Sequence, residues 1–194
     1  MGYDLLGAAL FVMITPLVIL GFVAFWFVNA RDRAELEGRW RAYAEARAIE
    51  YVPATGEWPN RTSPAIRWTL EGAELRLWTI GREASRRTRL AVRPRGALLG
   101  SLRATTEGAA PGTFAIRERP AGFSRRILTP EVTRTLLGFS QHDVVTVHHR
   151  RGCLVFEWPG GELNDARLDE ARRAGEAIAR ALASEFTAPS RRAA

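Results

Sequence analysis

Residues 5–28 run for 24 positions without a charged side chain. As an α-helix rising ~1.5 Å per residue, that run is roughly 36 Å long and exceeds the ~30 Å hydrocarbon core of a bilayer. It predicts a transmembrane anchor, and the rest of the chain reads as a domain attached to it. Tyr3 and Trp26 lie near the two ends, where amphipathic rings favour the headgroup level. Pro16 sits mid-span. It removes one backbone hydrogen bond and kinks the helix mildly, which membrane helices tolerate. A cleaved signal peptide is the rival reading, because Val28-Asn29-Ala30 resembles a small-residue cleavage site. Residues 1–4 carry no basic side chain, however, and the run far exceeds the usual ~7–15 apolar residues. A retained anchor is the expectation.

The flanks set the orientation. Asp4 is the only charge before the run, whereas Arg31, Arg33, Arg39, Arg41 and Arg47 follow it. Basic flanks resist translocation, which predicts a periplasmic N-terminus and a cytoplasmic C-terminal domain. All 28 basic residues are arginine; there is no lysine. That absence excludes Schiff-base, P-loop and Ser–Lys chemistry. It also reads as the codon bias of a GC-rich bacterial genome, so the expected location is a bacterial inner membrane. The single cysteine, Cys153, excludes an intrachain disulfide and a multi-cysteine metal site.

Residues 34–48 read as a helix continuing from the span. Leu36, Trp40, Tyr43 and Ala44 share one face of a 3.6-residue period. Pro53 and Pro59 then break the chain. Ile66, Trp68 and Leu70 alternate with Arg67 and Thr69, which predicts a strand facing a core. Residues 75–80 and 87–92 predict two further strands, and 98–103 and 113–116 weaker ones. Between the weaker pair, 104–112 is small and Gly/Pro-containing and reads as a mobile loop. Thr129-Pro130-Glu131 opens a short helix with Leu136 and Leu137 on its buried side. Residues 144–149 and 153–158 predict a hairpin. Asn164 caps a last helix over 165–184, with Leu168, Ala171, Gly175, Ile178 and Leu182 as its buried stripe. The pattern is α+β: one N-terminal transmembrane helix followed by a mainly antiparallel sheet packed with helices. The expected organisation is an anchor over 1–30, a cytoplasmic domain over 31–186 and a flexible tail over 187–194.

Ile127-Leu128-Thr129-Pro130-Glu131-Val132, Leu136-Leu137, Glu157-Trp158-Pro159-Gly160-Gly161 and Asp165-Ala166-Arg167-Leu168-Asp169-Glu170-Ala171 follow one another along the C-terminal half. In these stretches the chain resembles uncharacterised proteobacterial single-pass membrane proteins with a C-terminal domain of unknown function. The resemblance implies the anchor-plus-domain plan. It brings no activity, and no functional residue is carried over from it.

The chemistry-bearing residues are few. GxGxxG, GxSxG, HExxH and EF-hand patterns are absent from the sequence. His142, His148, His149 and Cys153 are the only soft-ligand cluster, but His148 and His149 are consecutive on a strand and point to opposite faces. No metal and no cofactor are expected. Cys153 lies in an apolar strand, where a free cysteine behaves as a small hydrophobe. Glu162, Asp165, Asp169 and Glu170 lie at a helix N-terminus, where the dipole accounts for carboxylates. Among Trp58, Trp68, Trp78 and Trp158, a stacking platform is conceivable, but Trp68 and Trp158 alternate in phase with core residues.

The strongest feature is basic. Arg82, Arg86, Arg87, Arg89, Arg93 and Arg95 fall within 14 residues, with Glu83 the only acid among them. Arg87, Arg89 and Arg93 share one strand face, opposite Leu90 and Val92. A solvated strand face is the plain reading, and an anion-binding surface is the functional one. The expected function is a non-enzymatic docking or assembly protein. It is held in the bilayer through residues 5–28 and presents a basic domain to anionic lipid or a protein partner in a membrane complex. Nucleic acid is disfavoured, since no recognised nucleic-acid-binding motif accompanies the charge. The alternative is a membrane-tethered enzyme or small-ligand sensor, which would show a concave pocket with convergent polar groups.

Overall fold

The computed structural model describes residues 2–56, 62–81, 85–96, 99–140, 143–150 and 152–187. Its contacts divide the chain into two units, Met1–Arg39 and Trp40–Ala194. The first unit is helical throughout its described length and belongs to α1 (Gly2–Ala46), which Pro16 does not interrupt. Its large apolar side chains from Met13 to Val28 stand open, Phe22, Trp26 and Phe27 at 69, 61 and 67 % exposure. The helix is long and apolar enough to cross a membrane.

The second unit opens with the last turns of α1 and carries an eight-stranded sheet. The strands are β1 (Glu50–Val52), β2 (Ala65–Leu70), β3 (Ala73–Ile80), β4 (Arg87–Arg93), β5 (Ser101–Thr105), β6 (Ala115–Arg119), β7 (Thr146–Arg150) and β8 (Cys153–Pro159). Three helices join them: α2 (Phe123–Ile127), α3 (Pro130–Phe139) and α4 (Asp165–Thr187). The strand order is β1-β2-β3-β4-β8-β7-β5-β6, every neighbouring pair antiparallel. The fold is therefore α+β, an antiparallel sheet packed with helices. The β2–β3 turn is Glu71-Gly72, with φ of 51° and 73°. Two consecutive positive φ values match the twist of a tight hairpin, and glycine adopts them freely.

One sheet face is closed. Ile66, Leu75, Leu77, Leu90, Val92, Leu154, Phe156 and Trp158 are buried on it. Phe139 of α3 stacks edge-on against Phe156 and Trp158, at 5.2 and 4.7 Å between ring centroids. Thr129 caps α3 by accepting from the Val132 N–H, with Pro130 in the first turn. Asn164 caps α4 by accepting from the Ala166 N–H at 2.9 Å. Trp68 lies on the same face and is half-buried, two residues further along β2 than the fully buried Ile66.

Gly175 brings α4 close to the sheet. A Cβ there would meet Leu90 Cδ2 at 2.9 Å and Leu75 Cδ2 at 3.0 Å. Gly175→Val is therefore expected to cost about 1–3 kcal/mol by overpacking. It should lower the thermal midpoint although any residue other than proline improves helix propensity there. An unchanged midpoint would show that α4 lifts away freely.

Candidate functional site

No described helix covers the opposite sheet face: α2, α3 and α4 all pack on the Leu90 side. The antiparallel register places directly opposed residues on one face, so the open face can be followed strand by strand. One row runs Glu50, Arg67, Arg76, Ala91, Val155, His148, Arg103 and Arg117 from β1 to β6. A flanking row carries Trp78, Arg89 and Glu157. Arg87, Arg93, Glu74 and Arg119 occupy the outer positions. Eight arginines with described side chains thus share the face with three acids. Ala91 and Val155, at its middle, are buried, flanked by long arginine stems that cover apolar surface while their heads stay wet.

The six arginines singled out by sequence density are distributed differently. Arg82 lies outside the described residues. Arg87, Arg89 and Arg93 project together from β4. Arg86 lies beyond the strand, its stem against Gly161, and Arg95 packs across the turn at Gly72. The three on the face are not free. Arg87 and Arg89 both pair with Glu157, at 3.2 and 2.8 Å, and Arg93 pairs with Glu74 at 3.8 Å. The Arg93 Nε–H also donates to Cys153 Sγ at 3.3 Å, which raises the Arg93 pKa.

Sequence density misses the arginines without counter-ions. Arg67, Arg76, Arg103, Arg117 and Arg119 meet no carboxylate within ion-pairing distance among the described residues. They sit on four different strands, so nothing in the linear spacing unites them. Only the strand order and register do.

The other candidates have structural roles. His148 lies on the open face and His149 on the closed one. There His149 Nδ1 is 2.6 Å from the Gly100 carbonyl and its ring packs against Phe123. His142 and Trp58 lie outside the described residues. The carboxylates near the α4 N-terminus are largely engaged. Asp169 accepts from Arg47 Nε and Nη2 and from the Tyr43 hydroxyl. Arg167 binds Asp143 at 2.6 Å and Glu170 at 3.2 Å while lying 3.7 Å over the Phe139 ring. Two open hollows, of about 770 and 420 Å³, flank α3 and the loop before β6. None of Tyr43, Arg47, Arg93, Glu118 and Asp169, whose titration the fold shifts, lines either hollow.

No protein-family model matches the chain, and comparison with curated proteins and with solved structures returns no match.

Proposed function

We propose that this is a single-pass bacterial inner-membrane protein whose cytoplasmic domain is a non-enzymatic docking module. The surface it docks with is anionic: phospholipid headgroups, or the acidic face of a partner in a membrane complex. The carrying observation is the asymmetry of the sheet. Three helices close one face, and the other presents eight arginines against three acids among the described side chains. The candidate span and the basic residues after it support the anchor and its orientation.

The test uses the full chain in nanodiscs of zwitterionic lipid, mixed with vesicles carrying increasing phosphatidylglycerol. Co-flotation is expected to rise with anionic content and to fall with salt, since the Debye length shortens to about 8 Å at physiological ionic strength. Each basic side chain near a charged surface contributes about a fivefold gain in affinity. Changing Arg103, Arg117 and Arg119 together to Gln is therefore expected to weaken binding by about two orders of magnitude. Flotation indifferent to lipid charge, or to the triple change, would refute lipid docking by this face.

A further inference from the structure

Arg67 on β2 and Arg76 on β3 are direct cross-strand partners on the open face. Side chains so placed have Cβ atoms about 4.5–5.5 Å apart, and like charges there repel. A protein surface ordinarily avoids this arrangement or inserts a carboxylate. Here the acids lie elsewhere: Glu157 serves Arg87 and Arg89, and Glu74 serves Arg93. Glu50, the neighbour of Arg67 on β1, makes no ion pair with it. The Nε–H of each of the two arginines is shut off from solvent and has no acceptor among the described residues. A buried donor left without an acceptor is a destabilising feature in its own right. The Arg76 guanidinium lies over the Trp78 ring at 5.3 Å, a contact that orients the cation.

Two opposed cations, two buried N–H groups without acceptors among the described residues and an aromatic floor make up the charge and donor set of an oxyanion site. We propose that Arg67 and Arg76 form a site for a phosphate monoester dianion. The charge and donor count select that class. A monoester carries up to two negative charges near neutral pH and three terminal oxygens, and arginine forks match such oxygens in pairs. A phosphodiester brings one charge and two free oxygens, and satisfies the pair less completely. Both side chains are half-buried, so the phosphate reaches them from solvent, with a turn of the outer side-chain torsions presenting the forks. The site deepens the reading of this face as an anion-docking surface and rests on it.

The probe is inorganic phosphate added to the full chain in neutral detergent at pH 7.5, with chloride holding ionic strength constant. At tenfold excess over its dissociation constant, phosphate is expected to raise the thermal midpoint by about 3–6 °C. The rise should shrink at pH 5, where the dianion is largely protonated. Arg67→Gln and Arg76→Gln should each weaken phosphate binding by roughly tenfold. Their phosphate-free midpoints should not fall below that of the parent, because each change removes the opposed charge. Arg173→Gln, exposed on α4, which packs against the other face of the sheet, should keep the full response. Mixed micelles separate the sources. A midpoint rise with phosphatidic acid well above that with phosphatidylglycerol, at phosphate concentrations that do nothing, assigns the site to a lipid headgroup; the reverse assigns it to a free phosphate. A phosphate response no larger than that to chloride, or one unchanged in both Gln variants, would overturn the site. Charge-dependent vesicle flotation surviving alongside that failure would leave the docking reading intact. A phosphate response without flotation would remove lipid docking and keep this site.

Discussion

Trp158→Ala is expected to lower the thermal midpoint of the full chain by about 6–20 °C. Trp158 is 1 % exposed at the end of β8. Its indole sits 4.7 Å from the Phe139 ring and 5.0 Å from that of Phe156. Truncation removes the largest side chain of that trio and leaves a cavity bounded by a sheet strand and α3. Large aromatic deletions of this kind cost about 3–5 kcal/mol, and each kcal/mol moves the midpoint of a domain this size by about 2–4 °C. Trp158→Phe provides the control. It keeps an aromatic ring against Phe139 and Phe156. It also removes a buried indole N–H that has no acceptor among the described residues, a group whose burial costs about 1–3 kcal/mol. The two terms oppose each other, so the Phe variant should stay within about 1 kcal/mol of the parent. A small effect of the Ala change, measured by circular dichroism, would mean that α3 does not close over β8.

The in-phase position of Trp158 with Leu154 and Phe156 is legible in the sequence, because a strand with one buried face repeats every two residues. The same period reveals β2, β3, β4, β7 and β8. Caps at Thr129 and Asn164 mark α3 and α4. The period fails where a strand has little to bury. β6 reads Ala-Ile-Arg-Glu-Arg and is exposed along nearly its whole length, so its position two to three residues beyond the expected 113–116 comes from pairing with β5 alone. β5 itself extends to Thr105, past the start of the expected loop, because the small Ala104 there is an inward, fully buried residue that composition alone reads as loop. β1 is three residues long and α2 five, both too short for either period to declare itself.

The candidate site is less legible than the fold, and the reason is electrostatic. A count along the chain finds arginines dense in sequence, as in residues 82–95. Ion pairing decides which of them remain available, and it operates across strands. Glu157 is 68 and 70 residues from the two arginines that it neutralises. Arg67 and Arg76 are unremarkable in a linear count and become opposed only because the Glu71-Gly72 turn fixes the β2–β3 register. Arg103 and Arg117 join the same row through β7 and β8, which lie far ahead in the chain. A surface built from strands out of sequence order is invisible to any window that slides along the sequence.

Asp169→Ala is expected to cost about 2 kcal/mol at pH 7, and the cost should vanish in acid. Asp169 on α4 accepts from Arg47 Nε at 2.7 Å and Nη2 at 2.6 Å, and from the Tyr43 hydroxyl at 2.9 Å. These contacts tie the segment ending α1 to the last helix, 122 and 126 residues on. A bidentate arginine–carboxylate pair is among the stronger polar contacts. The cost stays below the ~3–5 kcal/mol of a fully buried pair, because 24 % of the Arg47 side chain and 33 % of the Asp169 side chain remain open to solvent. The Arg47 fork is the first cause that holds the Asp169 carboxyl below the ordinary aspartate range; burial opposes it and the Tyr43 hydroxyl assists. A carboxyl whose folded pKa lies below its unfolded one stabilises fully above about pH 4, and that contribution is lost as pH falls through the folded value. Tyr43 bounds the other side. Burial first, then the hydrogen bond to Asp169, pushes its hydroxyl well above the ordinary tyrosine range. Its contribution is full below about pH 10 and is lost as pH rises through the folded value. The parent and Asp169→Ala should therefore differ by about 4–8 °C in midpoint at pH 7, and their midpoints should converge as pH is lowered through the folded Asp169 value. A midpoint difference of the same size at pH 7 and at pH 2 would mean that packing, and not the ionised clamp, joins these two helical segments.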